Sequence, residues 1–270
     1  MRDLLLSDRA LAQRLERAEA HANRAFVEAR ARLAPEVGAT WCDVDGTWAM
    51  FDGAGSPLTQ TFGLGTMTDA REAQLDVLEA FFTERGAATS HEVATTADVG
   101  LLAHLTGRGY RPIEWSAVLW QRLPRSGGGV GSSMSVRRIE ASEVGRWADT
   151  SARGWAETPE LADFVRGFGE VSAAAQDTHA FLVEYRGDAI AAGSLHLHEG
   201  VALLAGASTI PAFRGHGAQR LLLMARLAFA MEQGADLAMM VTAPGSASQR
   251  NAQRAGFQIA YSRVKLERAR

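Results

Sequence analysis

Apolar residues recur at helical spacing through LAQRLERAEAHANRAFVEAR near the start of the chain, which predicts a long helix packed by one face. Further on, FFTERGAATSHEVATTADVGLLAHLTGRGYRPIEWSAVLWQ reads helix, strand, helix, strand, with Gly109 as a helix stop and an aromatic opening the next strand. The second half gives a fuller series. SVRRI is a short strand, and ASEVGRWADTSARGW and PELADFVRGFGEVSAAA are helical, the latter with Pro159 at a helix start. HAFLVEYR and AIAAGSLHLH alternate on either side of Gly187-Asp188 and predict a hairpin. VALLAGAST is a strand, a helix follows from about 219 to 233, LAMMVTA is a buried strand, SASQRNAQRAG a helix and QIAYSRVKLE the last strand. The order is β-α-α-β-β-β-α-β-α-β, an α/β (α+β) pattern.

Between the halves lies PRSGGGVGSSM, in which seven of eleven residues are Gly or Ser, so residues 124–134 read as a linker. The halves resemble each other at their ends. Gly86 to Val93 and Gly234 to Val241 are both seven residues; Val93 to Gly109 is 16 and Val241 to Gly256 is 15. This predicts a tandem duplication, with a degenerate domain at 1–123, the linker at 124–134 and a second domain at 135–270. Trp41, Trp48, Trp115 and Trp120 are expected to fill the core of the first copy.

Composition narrows the picture. The chain has 270 residues, 47% hydrophobic and 22% charged, with a net charge of −3. Up to residue 134 there are 13 basic against 17 acidic residues, and 15 against 14 thereafter. No basic field argues for nucleic acid. Cys42 is the single cysteine, so no internal disulfide exists and a buried structural thiol is expected. The apolar run of three leucines near the start is too short for a signal core, and no stretch approaches a membrane span, so a cytoplasmic location without membrane association is expected.

The candidate chemistry centres on STIPAFRGHGAQRLLLMARLAFA. Helix starts favour Ser, Thr, Asp or Asn, yet glycines stand where the helix begins. A glycine turn after a strand and before a helix is the setting in which exposed amides and the positive helix end collect on a phosphate. Neither a dinucleotide fingerprint nor a Walker loop is present. What remains is Arg214-Gly215-His216-Gly217-Ala218-Gln219. The first copy carries GTMTDAREAQ at the matching place, with Asp69 and Glu72, so only the second half can bind an anion in this way.

With the strand before it, the helix after it and a closing helix-Gly-Phe-strand segment, the second half resembles the GNAT N-acetyltransferase superfamily over about 135–268. The resemblance implies tandem GNAT folds with a mixed central sheet flanked by helices. It implies acetyl-CoA as cosubstrate and no metal. Arg214, Gly215, His216, Gly217, Ala218, Gln219 and Arg220 would take the pyrophosphate, and Ala207, Thr209 and Ile210 the pantetheine arm. Ser248 and Asn251 are the polar candidates on the following helix. Three features depart from the family: Gln219 ends the turn where a Gly or Ala is usual, Ala252 stands where many members place a tyrosine acid, and VALLAGAST lacks the glutamate some use as base.

The expected activity is transfer of an acetyl or other acyl group to a primary amine, on a small molecule or a peptide, by a monomer or homodimer. His196 and His198 alternate on one strand face and are candidate proton acceptors, or else an ordinary hairpin-end pair; zinc lacks a third ligand. Glu157 is a candidate partner for the amine and Trp155 a stacking wall. The alternatives are a non-catalytic acyl-CoA sensor and a transferase with another donor such as aminoacyl-tRNA, which the acidic first half disfavours.

Overall fold

The computed structural model describes residues 8–123, 134–155, 158 and 161–269. Residues 124–133 of the expected linker, Glu157 and Pro159 lie outside these residues. In chain order the elements are α1 (Arg9–Leu33), β1 (Thr40–Val44), β2 (Thr47–Phe51), β3 (Gln60–Phe62), α2 (Glu72–Glu84), β4 (Thr89–Ala94), α3 (Val99–Gly107) and β5 (Arg111–Arg122). They continue with β6 (Ser135–Arg138), α4 (Val144–Arg153), α5 (Ala162–Ala173), β7 (Thr178–Tyr185), β8 (Asp188–His198), β9 (Val201–Thr209), α6 (Ala218–Glu232), β10 (Leu237–Thr242), α7 (Ala247–Arg254) and β11 (Gln258–Arg268). Asp8, Asp98 and Ser246 cap α1, α3 and α7 by accepting amide hydrogen bonds.

Two compact units form, Met1–Gln121 with Met239–Arg270, and Arg122–Ala238. The division by contact thus differs from the sequence division at 124–134, because β11 pairs with β4 and β5.

In the first unit the strand order is β1-β2-β3-β4-β11-β5-β10, with residues 239–242 of β10 in this unit. The sheet is mixed: β3 and β4 are parallel, whereas β1–β2, β2–β3, β4–β11 and β11–β5 are antiparallel. The run β4-β11-β5-β10 interleaves strands of the two expected repeats. In each repeat a helix, strand, helix and strand follow one another (α2-β4-α3-β5 and α6-β10-α7-β11), and the last strand of each lies beside the other repeat's penultimate strand. One core gathers Leu75, Leu78, Phe82, Val93, Leu105 and Val264, and a second joins Ala20 and Val27 of α1 to Met50 and Phe62.

Trp120 is buried, and Trp41 and Trp48 are half-buried with rings 6.0 Å apart. Trp115 departs from the expected core role: it is 57% exposed, because the burial of β5 begins only at Ser116. Cys42 is half-buried against the first core, and burial raises its thiol pKa, as befits an unreactive structural thiol.

A buried charge cluster anchors β11 in this unit. The Arg263 side chain is fully buried, with Nη2 donating to Glu19 Oε2 at 2.6 Å and Nε 3.0 Å from Glu92 Oε2. Glu16 Oε1 lies 3.4 Å from Arg263 Nη1 and accepts from Tyr261 Oη at 2.7 Å. Three carboxylates against one guanidinium leave excess negative charge in a dry site, and burial raises the pKa of Glu16 and lifts that of Glu19 to about 7.

The second unit has the antiparallel order β9-β8-β7-β6. Trp147 and Ala148 of α4 pack on Ala180, Leu182 and Ala192, one sheet face. Phe229 of α6 meets His179 and Phe181 on the other. The buried Trp147 indole donates to the Phe181 carbonyl at 3.0 Å, so no polar group is stranded in that core. The β7–β8 turn lies one residue earlier than expected. Arg186 (φ 52°) and Gly187 (φ 88°) take the two left-handed positions, and Asp188 already pairs with Tyr185.

Candidate functional site

The glycine turn closes β9 and opens α6. A short 3-10 turn at Pro211–Phe213 lets Arg214 N–H bond back to Pro211 O at 3.1 Å. Gly215 and Gly217 then take φ 78° and 86°, left-handed values that an L side chain would strain. A Cβ at either would meet no protein atom, so it is the backbone conformation that calls for glycine there. Gly217 is the N-cap of α6, has no side chain to cap with, and no acid occupies the first turn. The next bond inside the helix is Leu221 N–H to Gly217 O. The amides of residues 215–220 therefore have no acceptor among the described residues. Such a run at the positive end of a 15-residue helix is a cradle for an anion.

The side chains beside the cradle are already engaged. Arg214 donates from Nε to Thr209 O at 3.2 Å and from Nη2 to Gly154 O at 2.8 Å, tying the end of β9 to the end of α4. His216 Nδ1 lies 2.8 Å from Arg214 O, which fixes the proton on Nδ1 and turns Nε2 outward. Ile210 N–H bonds to Ile190 O at 2.9 Å. Thr209 is buried, and its Oγ1 has no hydrogen-bond partner among the described residues.

The strand leading into the turn is open in its middle. Val201 to Leu204 and Ser208 to Thr209 are buried, but Ala205, Gly206 and Ala207 are exposed. There the ladder with β8 shifts register. Ala192 pairs with Ser208 and Ser194 with Ala205, so Gly193 stands opposite both Gly206 and Ala207. Gly206 has φ 60°, the left-handed glycine of a β-bulge.

A buried cation sits under the bulge. Arg226 of α6 is 3% exposed, and its Nη1 donates to Ser194 O at 2.8 Å and to Ala205 O at 3.3 Å. Its Nε donates to Leu222 O of its own helix at 3.3 Å. No carboxylate among the described residues pairs with it, and burial lowers its pKa to about 10, so it stays charged at neutral pH. Gly193 makes room: a Cβ there would stand 3.0 Å from Leu222 Cδ2 and 3.2 Å from Arg226 Nη1.

The remaining expected residues are placed as follows. His196 pairs in register with Thr178 and Leu203, is buried, and has Nδ1 3.1 Å from Thr178 Oγ1. His198 shares its strand face and keeps some exposure, with Nε2 3.9 Å from Glu199 Oε2. Both lie on the face that carries α4, since their register mates alternate with those facing Phe229. Trp155 is largely exposed just past α4. Ser248 and Asn251 are exposed on α7, in the other compact unit, where Asn251 Oδ1 accepts from Arg254 at 3.1 Å. Ala252, at the place of the family's tyrosine, is buried.

Arg226 and the bulge were not read from the sequence. Their signal is an arginine inside the apolar run LLLMARLAFA, with Gly193 in the facing strand.

Among the described residues no group of three or more His, Cys, Asp or Glu could hold a metal ion, and no helix is long and apolar enough to cross a membrane.

Comparison with known proteins fits this geometry. Residues 143–257 match the Acetyltransferase (GNAT) family. No curated protein matches the chain by sequence. A GCN5-related N-acetyltransferase from Kribbella flavida superposes with a TM-score of 0.67 at 17% identity, covering 95% of each chain. A tandem GNAT protein from the clavulanic acid biosynthesis pathway gives 0.59 at 13% identity, covering 82% of this chain and 78% of that one. A GCN5-related N-acetyltransferase from Sphaerobacter thermophilus gives 0.53 at 14%, covering 77% and 71%. These likenesses establish the fold, a tandem GNAT architecture.

Proposed function

Since residues 143–257 match the Acetyltransferase (GNAT) family, we propose that the protein transfers an acyl group, acetyl first among them, from acyl-CoA to a primary amine. The observation that carries this is the run of unsatisfied amides at 215–220 beside the open stretch 205–207. The first suits a diphosphate and the second an extended amide arm, the two recognisable parts of CoA. The orphaned Thr209 hydroxyl adds a buried polar group next to both. The amides, rather than the already engaged Arg214 guanidinium, are the anion's partners in this reading.

When bound, the thioester supplies an activated acyl carbon. The neutral amine nitrogen forms a bond to that carbon, the C–S bond breaks, sulfur leaves with its electron pair, and the nitrogen loses one proton. A strand amide of β9 polarises the acyl oxygen, a role that needs no side chain. His198, more accessible than the buried His196, takes the amine's proton, and His196 braced by Thr178 supports it. Glu157 keeps its expected role as a partner for the amine and Trp155 that of a stacking wall.

A second reading, an acyl-CoA sensor, is favoured by one observation, the buried Ala252 in place of an acid for the leaving thiolate. Thiol release from acetyl-CoA over a panel of small amines and peptide N-termini separates the two. The enzyme releases thiol with at least one amine class, whereas binding without release on any class selects the sensor.

A further inference from the structure

Arg226 has no part in the proposed reaction so far. It is a buried guanidinium without a carboxylate, held against three main-chain carbonyls. Burying an unpaired charge costs several kcal/mol, and an aliphatic side chain would fill the same helix position without that cost. Its contacts define what it acts on. Two of the three carbonyls flank the bulge, and the Ala205 carbonyl also accepts from Ser194 Oγ at 3.3 Å.

The geometry of a peptide unit carries the consequence. No peptide bond among the described residues is cis, so the N–H of Gly206 points opposite to the Ala205 carbonyl. With that carbonyl held by Arg226 and Ser194, the Gly206 N–H faces away from β8, at the exposed part of β9. A cationic donor on a carbonyl also draws electron density from the amide nitrogen and strengthens its N–H as a donor. Gly206, at φ 60°, is the residue that lets the strand turn this peptide.

We propose that Arg226 is a positioning residue that fixes and polarises the Ala205–Gly206 peptide, so that the Gly206 amide is the donor to the acyl oxygen of the thioester. This rests on the proposed acyl-CoA function, and it selects Gly206 rather than the amides near Thr209. Negative charge that builds on the acyl oxygen is met by an N–H whose partner carbonyl is backed by a fixed positive charge.

The test uses the full-length protein and the variants R226M, R226K and S194A. Without ligand, R226M shifts the amide proton resonances of Gly206 and Ala207 upfield, while those of Val201 and Ala202 hold. With acetyl-CoA labelled at the acyl carbonyl with carbon-13, the infrared carbonyl band of the bound donor lies lower than in water for the native protein. R226M loses that displacement with the Kd for acetyl-CoA changed less than about threefold, and R226K keeps most of it. Thiol release falls about 100-fold in R226M, in kcat rather than KM, the scale of losing one oxyanion donor. Should R226M not fold, S194A reports a partial loss of the same two signals. Native positions of the Gly206 resonance and the carbonyl band in folded R226M overturn the inference. Failure of the native protein to bind acetyl-CoA overturns the acyl-CoA reading instead, and the ligand-free resonances then decide whether Arg226 sets the peptide.

Discussion

The α-carbon of Gly154 lies so close to Ser208 that a Cβ added to it would stand 2.5 Å from Ser208 Cβ. Gly154 ends α4, and Ser208 Oγ donates to Ser151 O at 3.0 Å, so the helix end and the last buried turn of β9 are in direct contact. Gly154→Ala therefore forces the two apart, at a cost of about 1–3 kcal/mol for overpacking. Ser208→Gly removes the obstructing atom. Urea unfolding of the two single variants and the double variant should give a double variant more stable than additivity predicts. Strict additivity would show that the contact is not made.

The Arg263 cluster predicts a cost that depends on pH. Arg263→Met leaves the carboxylates of Glu16, Glu19 and Glu92 without their shared cation, which costs about 3–5 kcal/mol at neutral pH. The deficit shrinks at pH 5, where the acids with raised pKa values hold protons. A deficit equal at the two pH values would contradict the cluster's excess charge.

Glu19→Gln isolates one titration. Glu19 has its pKa raised by burial from 4.5 to about 7, so the folded state holds a proton that the unfolded state gives up. The stabilisation is fully present below about pH 4.5 and is lost as pH rises to about 7. His91 works in the opposite sense. Burial lowers its pKa to about 3, so its neutral form favours folding above pH 6.5 and that contribution is lost on acidification. The wild-type melting temperature alone mixes the two. The difference, wild type minus Glu19→Gln, should decline between pH 4.5 and 7, and a flat difference would rule out the buried proton.

Most elements of the second half were legible in the sequence, because strands such as HAFLVEYR alternate and glycines such as Gly154, Gly234 and Gly256 close the helices. The cradle was legible for the same local reason: a left-handed turn needs glycine, and Gly215 and Gly217 stand together. The strands β1, β2 and β3 were not legible, since they are only three to five residues long and show no clean alternation of apolar and polar positions. The placement of β11 between β4 and β5 was hidden too, because strand exchange between repeats leaves the local pattern of each strand unchanged. Trp115 shows the same limit, as an apolar residue on a strand does not reveal whether anything covers it.

The central claim is that the amides after Arg214 hold the diphosphate of an acyl-CoA, and thermal unfolding with acetyl-CoA tests it most directly. Acetyl-CoA at 100 times its Kd should stabilise the native protein by about 2.7 kcal/mol, seen as a rise of several degrees in Tm. Gly217→Asp, which strains the left-handed position and places a carboxylate at the cradle, should fold and show no rise. An unchanged Tm for the native protein with every acyl-CoA tried, or an undiminished rise in Gly217→Asp, would contradict the account.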